Sequence, residues 1–145
     1  MTTRLWPNRQ AGLFPDNSSH GAETVLVVED EPAVRGLVES MLGLHGYQVI
    51  VAENAGDALE LSSSFDGRID LLLTDVEMPD MSGRELAQRL RAERTEMRLL
   101  YMSGHSEDDV AGYGVLASGG MFLPKPFTVA ALTERVREVL DKQDW

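Results

Sequence analysis

Five side chains that could do chemistry together follow short apolar runs. Glu29 and Asp30 follow residues 24–28, Asp75 follows 69–74, Ser103 follows 98–102, and Lys125 follows 120–123 with one proline between. Carboxylates brought together repel unless a cation or a proton intervenes. A set of hard oxygen ligands suits magnesium or manganese better than zinc. With such a metal bound, one carboxylate can act as a nucleophile towards a phosphoryl donor, while a hydroxyl and an ammonium hold the other phosphoryl oxygens. Asp75 is the candidate nucleophile, Ser103 supplies the hydroxyl and Lys125 the ammonium.

These residues need elements that bring them to one place. From Glu23 onward, strand-length apolar runs alternate with stretches of helical spacing, a grammar that predicts βαβ units and a parallel sheet. The run at 24–28 is mostly β-branched and, after Thr24, apolar, as a strand covered on both faces should be. Pro32 suits the first turn of a helix carrying Val34, Leu37, Val38, Met41 and Leu42 on one face, closed at Gly46. Further strands are expected at 47–52, 69–74, 98–102 and 120–123, with helices at 54–63 and 83–93. A helix starting near Ser106 carries the capping pair Ser106 and Asp109, but Gly112 and Gly114 weaken it by roughly 1 kcal/mol each. Thr128 caps a last helix with the stripe Leu132, Val136, Val139 and Leu140.

In open parallel sheets ligands bind beyond the carboxyl ends of the strands, near the point where strand order reverses. Were the order 2-1-3-4-5, Glu29, Asp30 and Asp75 would crowd around one crevice.

Composition limits the alternatives. At 145 residues and 43% hydrophobic content, one domain can bury its own core. The absence of cysteine excludes disulfides, thiolate metal sites and a thiol nucleophile. A net charge of −11 argues against wrapping nucleic acid. No apolar run approaches the ~18 residues of a membrane span, and residues 1–20 lack a signal-peptide core, so a cytoplasmic protein without membrane contact is expected. Residues 1–22, with Pro7, Gly12, Pro15 and Gly21, read as a linker or tail preceding a domain at 23–141.

Each residue also has a plainer reading. Glu29 and Asp30 could be acids at a helix N-terminus, Asp75 a turn aspartate, and Ser103 a strand-end cap. Tyr101 and Phe122, aromatic residues in strands, read first as core. Lys125 resists such a reading: only it and Lys142 are lysines among 13 basic residues, and it stands between an apolar run and Phe127.

The residues from about Thr24 to Leu140 resemble the response regulator receiver domain of two-component signalling. The resemblance is carried by Val25-Leu-Val-Val-Glu-Asp-Glu-Pro32, Leu71-Leu-Leu-Thr-Asp-Val-Glu-Met-Pro-Asp-Met-Ser-Gly83, Tyr101-Met-Ser-Gly104 and Phe122-Leu-Pro-Lys-Pro-Phe127. It implies an α/β, flavodoxin-like, doubly wound sheet of five parallel strands in the order 2-1-3-4-5 with five helices. It also implies that Asp75 is the phosphoacceptor, that Asp30, Asp75 and the Glu77 backbone carbonyl hold magnesium, and that Glu29 completes the acidic pocket. Ser103 and Lys125 would bind the phosphoryl group, and Ser103 with Phe122 would form a switch, overriding the core reading of Phe122. The output surface would be the fourth helix, fifth strand and fifth helix. The donor would be a histidine kinase or phosphotransfer protein, and the chain no enzyme beyond its own phosphotransfer and dephosphorylation. Two features depart from or qualify the pattern: Gly104 stands where the family more usually has alanine, and Glu77 and His105 occupy positions that tune phosphoryl lifetime.

Competing functions fit less well. An aspartate-nucleophile phosphohydrolase of the haloacid dehalogenase kind would want a second Asp where Glu77 stands, no Pro79, and a cap domain. A flavin-binding module would want a hydroxyl- and glycine-containing phosphate loop where Glu29, Asp30 and Glu31 stand. A pseudo-receiver is disfavoured because no acceptor-site group is missing. Both a single-domain regulator and the receiver of a hybrid histidine kinase fit, the linker-like start favouring the second.

Overall fold

The computed structural model describes residues 23–104 and 121–142. The run read as a linker at 1–22, His105, and the helix expected from Ser106 lie outside the described residues. Strands β1 (Thr24–Val28), β2 (Gln48–Ala52), β3 (Leu71–Asp75), β4 (Arg98–Ser103) and β5 (Met121–Pro124) form one parallel sheet in the order β2-β1-β3-β4-β5. Four helices are described: α1 (Pro32–Leu44), α2 (Ala55–Ser64), α3 (Gly83–Glu93) and α4 (Val129–Asp141). None of them is long and apolar enough to cross a membrane.

Successive strand residues point to opposite faces, and this alternation splits the core in two. Leu26, Val28, Leu72, Leu99, Tyr101 and Phe122 face α2 and α3, meeting Ala55, Ala58, Leu86 and Leu90. Val25, Val27, Leu71, Leu73, Leu100 and Met102 face α1 and α4, meeting Val38, Leu42, Leu132 and Val136. Helices therefore cover both faces, which is why β1 is apolar from Val25 to Val28 and buried throughout.

Three strands run one residue further than the apolar pattern suggested. Asp75 pairs with Met102 and Ser103 with Pro124, so the ladder takes in polar residues that hydropathy assigned to loops. The residues of interest thus sit on strand ends, held by the sheet.

Helix ends are secured by polar side chains. Asn54, Ser82 and Thr128 accept from the backbone N–H groups of Asp57, Glu85 and Ala131 at 2.7, 3.1 and 3.0 Å, capping α2, α3 and α4. Two arginines close C-termini from neighbouring elements. Arg94 donates to Ser62 Oγ and to the carbonyls of Ser62, Phe65 and Gly67 beyond α2. Arg98 donates to the Val139 and Lys142 carbonyls at the end of α4. Carbonyls at and beyond the helix ends, of which Ser62 and Val139 otherwise accept only long cap bonds from the Phe65 and Lys142 N–H groups at 3.4 and 3.3 Å, gain a charge-assisted partner.

Gly83 opens α3 where backbone meets backbone. Its N–H donates to the Val76 carbonyl at 2.7 Å, and a Cβ built on it would lie 2.1 Å from the Asp75 carbonyl oxygen. Gly83→Ala is therefore expected to destabilise the fold by about 1–3 kcal/mol through overpacking. Gly36→Ala, in α1 with nothing within 4 Å of the added methyl, is expected to stabilise it by about 0.5–1 kcal/mol. Urea midpoints of the two variants, moving in opposite directions, check both.

Candidate functional site: an acidic crevice with a bridging lysine

β1 and β3 are neighbours, and their carboxyl ends carry the acids. Glu29 follows β1 and keeps its N–H in the sheet's hydrogen bonding, donating to the Ala52 carbonyl at 3.1 Å. Its carboxylate is 1% exposed. One oxygen accepts from the Glu31 N–H at 3.1 Å and the other from Lys125 Nζ at 2.7 Å. Arg35, one turn into α1, donates to the Glu29 carbonyl at 2.8 Å and ties down the turn that carries both acids. Asp30 is exposed beside it.

Asp75 ends β3 half-buried, accepting from Lys125 Nζ at 3.0 Å and from the Glu77 N–H. Carboxylate oxygens of Glu29, Asp30 and Asp75 all lie within 4.8 Å of one another. Lys125 reaches them from beyond β5, with its own N–H fixed to the Ser103 carbonyl at 2.7 Å. One residue thus joins the ends of three strands.

Burial pushes the Glu29 and Asp75 carboxyls up from their ordinary values, and the Lys125 bonds offset this only in part. For Lys125, burial alone would favour the neutral amine, but the bonds to Glu29 and Asp75 outweigh it and its pKa is raised. The ammonium is therefore charged at neutral pH, and the acids bear the desolvation cost. Such a crevice can hold a divalent cation through three hard oxygen donors, which is the chemistry magnesium requires.

The expected site residues can now be located. Glu29, Asp30, Asp75 and Lys125 meet in one cluster. Ser103 is buried at the end of β4, joined to Lys125 through the main chain. Phe122 lies opposite Tyr101 in the ladder, and both are buried in the core facing α2 and α3, as the plain aromatic reading has it. Glu77 is exposed in the β3–α3 loop. Sequence reasoning missed Arg35 and Asp80. Asp80 sits inside the quoted motif as an ordinary turn residue, yet its carboxylate reaches the N-terminus of α2, accepting from the N–H groups of Ala55 at 3.3 Å and Gly56 at 3.0 Å. Neither bond has a local sequence signal, because the Asp80 partners lie 25 and 24 residues away.

A family profile for the response regulator receiver domain matches residues 25–137, and the chain belongs to that family. The sensor kinase CckA of Brucella abortus is 39% identical over 124 residues, a match covering 86% of this chain and 13% of that protein. The transcriptional regulatory protein CpxR of Escherichia coli K12 is 35% identical over 122 residues, covering 83% of this chain and 50% of that one. The chain therefore spans half or less of these relatives. Among solved structures, the receiver domain of the hybrid histidine kinase CckA superposes with a TM-score of 0.69 at 34% identity, covering 81% of this chain and 99% of that one. The response regulator TrrA of Thermotoga maritima, solved with magnesium and beryllofluoride, gives 0.69 at 30% identity, covering 81% and 99%.

Removing the lysine tests the electrostatics. Lys125→Met leaves the buried Glu29 carboxylate without its cation and is expected to cost about 2 kcal/mol at neutral pH. Because burial raises the Glu29 and Asp75 pKa values, the folded state favours their protonated forms. Stability from that source is present at low pH and is lost as pH rises through the raised values. The deficit of the variant should therefore shrink as pH falls into the carboxylate range, measured as denaturant midpoints at several pH values without metal.

Proposed function

We propose that the chain is the phosphoacceptor module of a two-component or phosphorelay system, taking a phosphoryl group on Asp75 from a phosphohistidine of a histidine kinase or phosphotransfer protein. The observation that carries this reading is the Lys125 ammonium bonded to both Glu29 and Asp75 at the carboxyl edge of the sheet. We read residues 23–141 as one receiver domain and 1–22 as a linker, working in the cytoplasm. The chain is not an enzyme beyond its own phosphotransfer and autodephosphorylation.

In this reading Asp30, Asp75 and the Glu77 carbonyl hold magnesium, with Glu29 completing the pocket. Bound magnesium supplies charge neutralisation for the incoming phosphoryl oxygens. An Asp75 carboxylate oxygen attacks phosphorus, the phosphorus–nitrogen bond breaks, and its electron pair returns to the donor imidazole. The Lys125 ammonium and the Ser103 hydroxyl hold phosphoryl oxygens as charge spreads over them. Ser103 and Phe122 form the switch, read out through the segment from Ser106, β5 and α4. A donor must approach the edge where α1 begins. That helix presents an uncharged face running back from there, Ala33, Gly36, Leu37 and Ser40, with Leu37 51% exposed. Apolar exposure of this kind suits contact with another protein.

The test is incubation with magnesium and acetyl phosphate, followed by intact mass of the wild type and Asp75→Asn. A magnesium-dependent gain of one phosphoryl group, absent from the variant, is expected. No adduct despite measurable magnesium binding would leave a pseudo-receiver, a binding module without phosphotransfer, as the better reading. Magnesium at about 100 times its Kd should stabilise the fold by about 2.7 kcal/mol, and chelation should reverse this. Thermal unfolding with and without chelator measures it.

A further inference from the structure

The loop between β3 and α3 bears Glu77, whose N–H bonds Asp75 and whose carbonyl is a metal ligand in the reading above. Both ends of the loop are fixed by backbone. Val76 N–H donates to the Met102 carbonyl at 3.0 Å, and Gly83 N–H to the Val76 carbonyl at 2.7 Å. Between them Met78 and Met81 pack against the core. Methionine is unbranched and adaptable, so these contacts set the depth of the loop better than its direction. Direction comes from Asp80, whose two carboxylate oxygens take two successive N–H groups in the first turn of α2.

α2 is prepared for this grip. Asn54 already satisfies the Asp57 N–H at 2.7 Å, and the Asp57 carboxylate accepts from the Glu53 N–H at 3.3 Å. The Ala55 and Gly56 donors point outward from the helix end, and the macrodipole favours an anion there. The Gly56 amide foremost, with that of Ala55, holds the Asp80 carboxyl below the usual carboxylate range, so the bond is charge-assisted at neutral pH.

We propose that Asp80 is a positioning residue: by clasping the N-terminus of α2 it aims the Glu77 segment at the acidic crevice, and so couples magnesium binding to α2. This rests on the phosphoacceptor reading for the identity of the metal, though not for the clasp. Coupling is reciprocal, so magnesium must also tighten the clasp.

The experiment uses the full chain, Asp80→Ala and Asp80→Asn, the second retaining one acceptor oxygen without the charge. Magnesium affinity is measured by calorimetry and amide exchange at Ala55 and Gly56 is followed with and without magnesium. The magnesium dependence of acetyl phosphate labelling is then split into half-saturating concentration and maximal rate. Asp80→Ala is expected to weaken magnesium about fivefold, the low end of couplings between sites. Asp80→Asn should fall between, and maximal rate at saturating magnesium should hold. In the wild type, magnesium slows exchange at Ala55 and Gly56, and in Asp80→Ala it does not. Unchanged magnesium affinity in a folded Asp80→Ala overturns the proposal, as does a lower maximal rate with unchanged half-saturation. If Asp80→Ala fails to fold, Asp80→Asn decides by the same criteria. A wild type that takes no phosphoryl group sinks the phosphoacceptor reading, while the calorimetric and exchange results still judge the clasp.

Discussion

A lysine ammonium lodged between two carboxylates at the edge of a hydrophobic sheet governs the rest of this molecule. Glu29 is almost wholly buried, and an isolated carboxylate at that depth would shed its charge by taking up a proton. Lys125 at 2.7 Å opposes this in part, and its reach to Asp75 at 3.0 Å holds a second acid close by. Asp30 adds a third carboxylate to the group. One ammonium against three acids leaves net negative charge, and the crevice is therefore built to attract a further cation.

The fold exists around that crevice in a specific sense. Parallel strands all present their carboxyl ends at one edge, so the five strands can deliver acids from β1 and β3 and a lysine from beyond β5 to one point. Precision comes from the ladder, since Asp75 and Ser103 are themselves strand residues paired with Met102 and Pro124. Close approach adds to it: α3 starts against the Asp75 carbonyl, which only glycine at position 83 permits. The apolar core, divided evenly by strand alternation, is the platform that makes these placements rigid.

Much of this was legible in the sequence because periodicity and strand-end chemistry are local signals. The alternation of apolar runs with helical stretches gave the strand and helix positions of the described residues, and the lone lysine in an apolar setting stood out as a site residue. Strand ends were misjudged by one residue because hydropathy stops at the first polar side chain, whereas the ladder continues to it. The 2-1-3-4-5 order came from resemblance, since no residue pattern within a strand announces its neighbour. Arg35, Asp80, Arg94 and Arg98 were opaque for one shared reason. Each satisfies backbone groups of another element or turn, and such bonds appear only after the topology is closed.

Those opaque residues share a logic with the site. Each brings a charged side chain to backbone groups at the ends of elements: carbonyls at the end of α2 and of α4 for Arg94 and Arg98, the Glu29 carbonyl for Arg35, and amides at the start of α2 for Asp80. Charge is placed where the helix dipole or an open carbonyl already favours it, so these bonds add direction at little electrostatic cost. Lys125 is the opposite case, because its acids are buried against their own solvation and the ion pair only partly offsets that burial. The arginine and aspartate clasps therefore hold rigid a frame in which one electrostatically unfavourable cluster can persist. A cation entering the crevice would find a site whose desolvation was met when the chain folded.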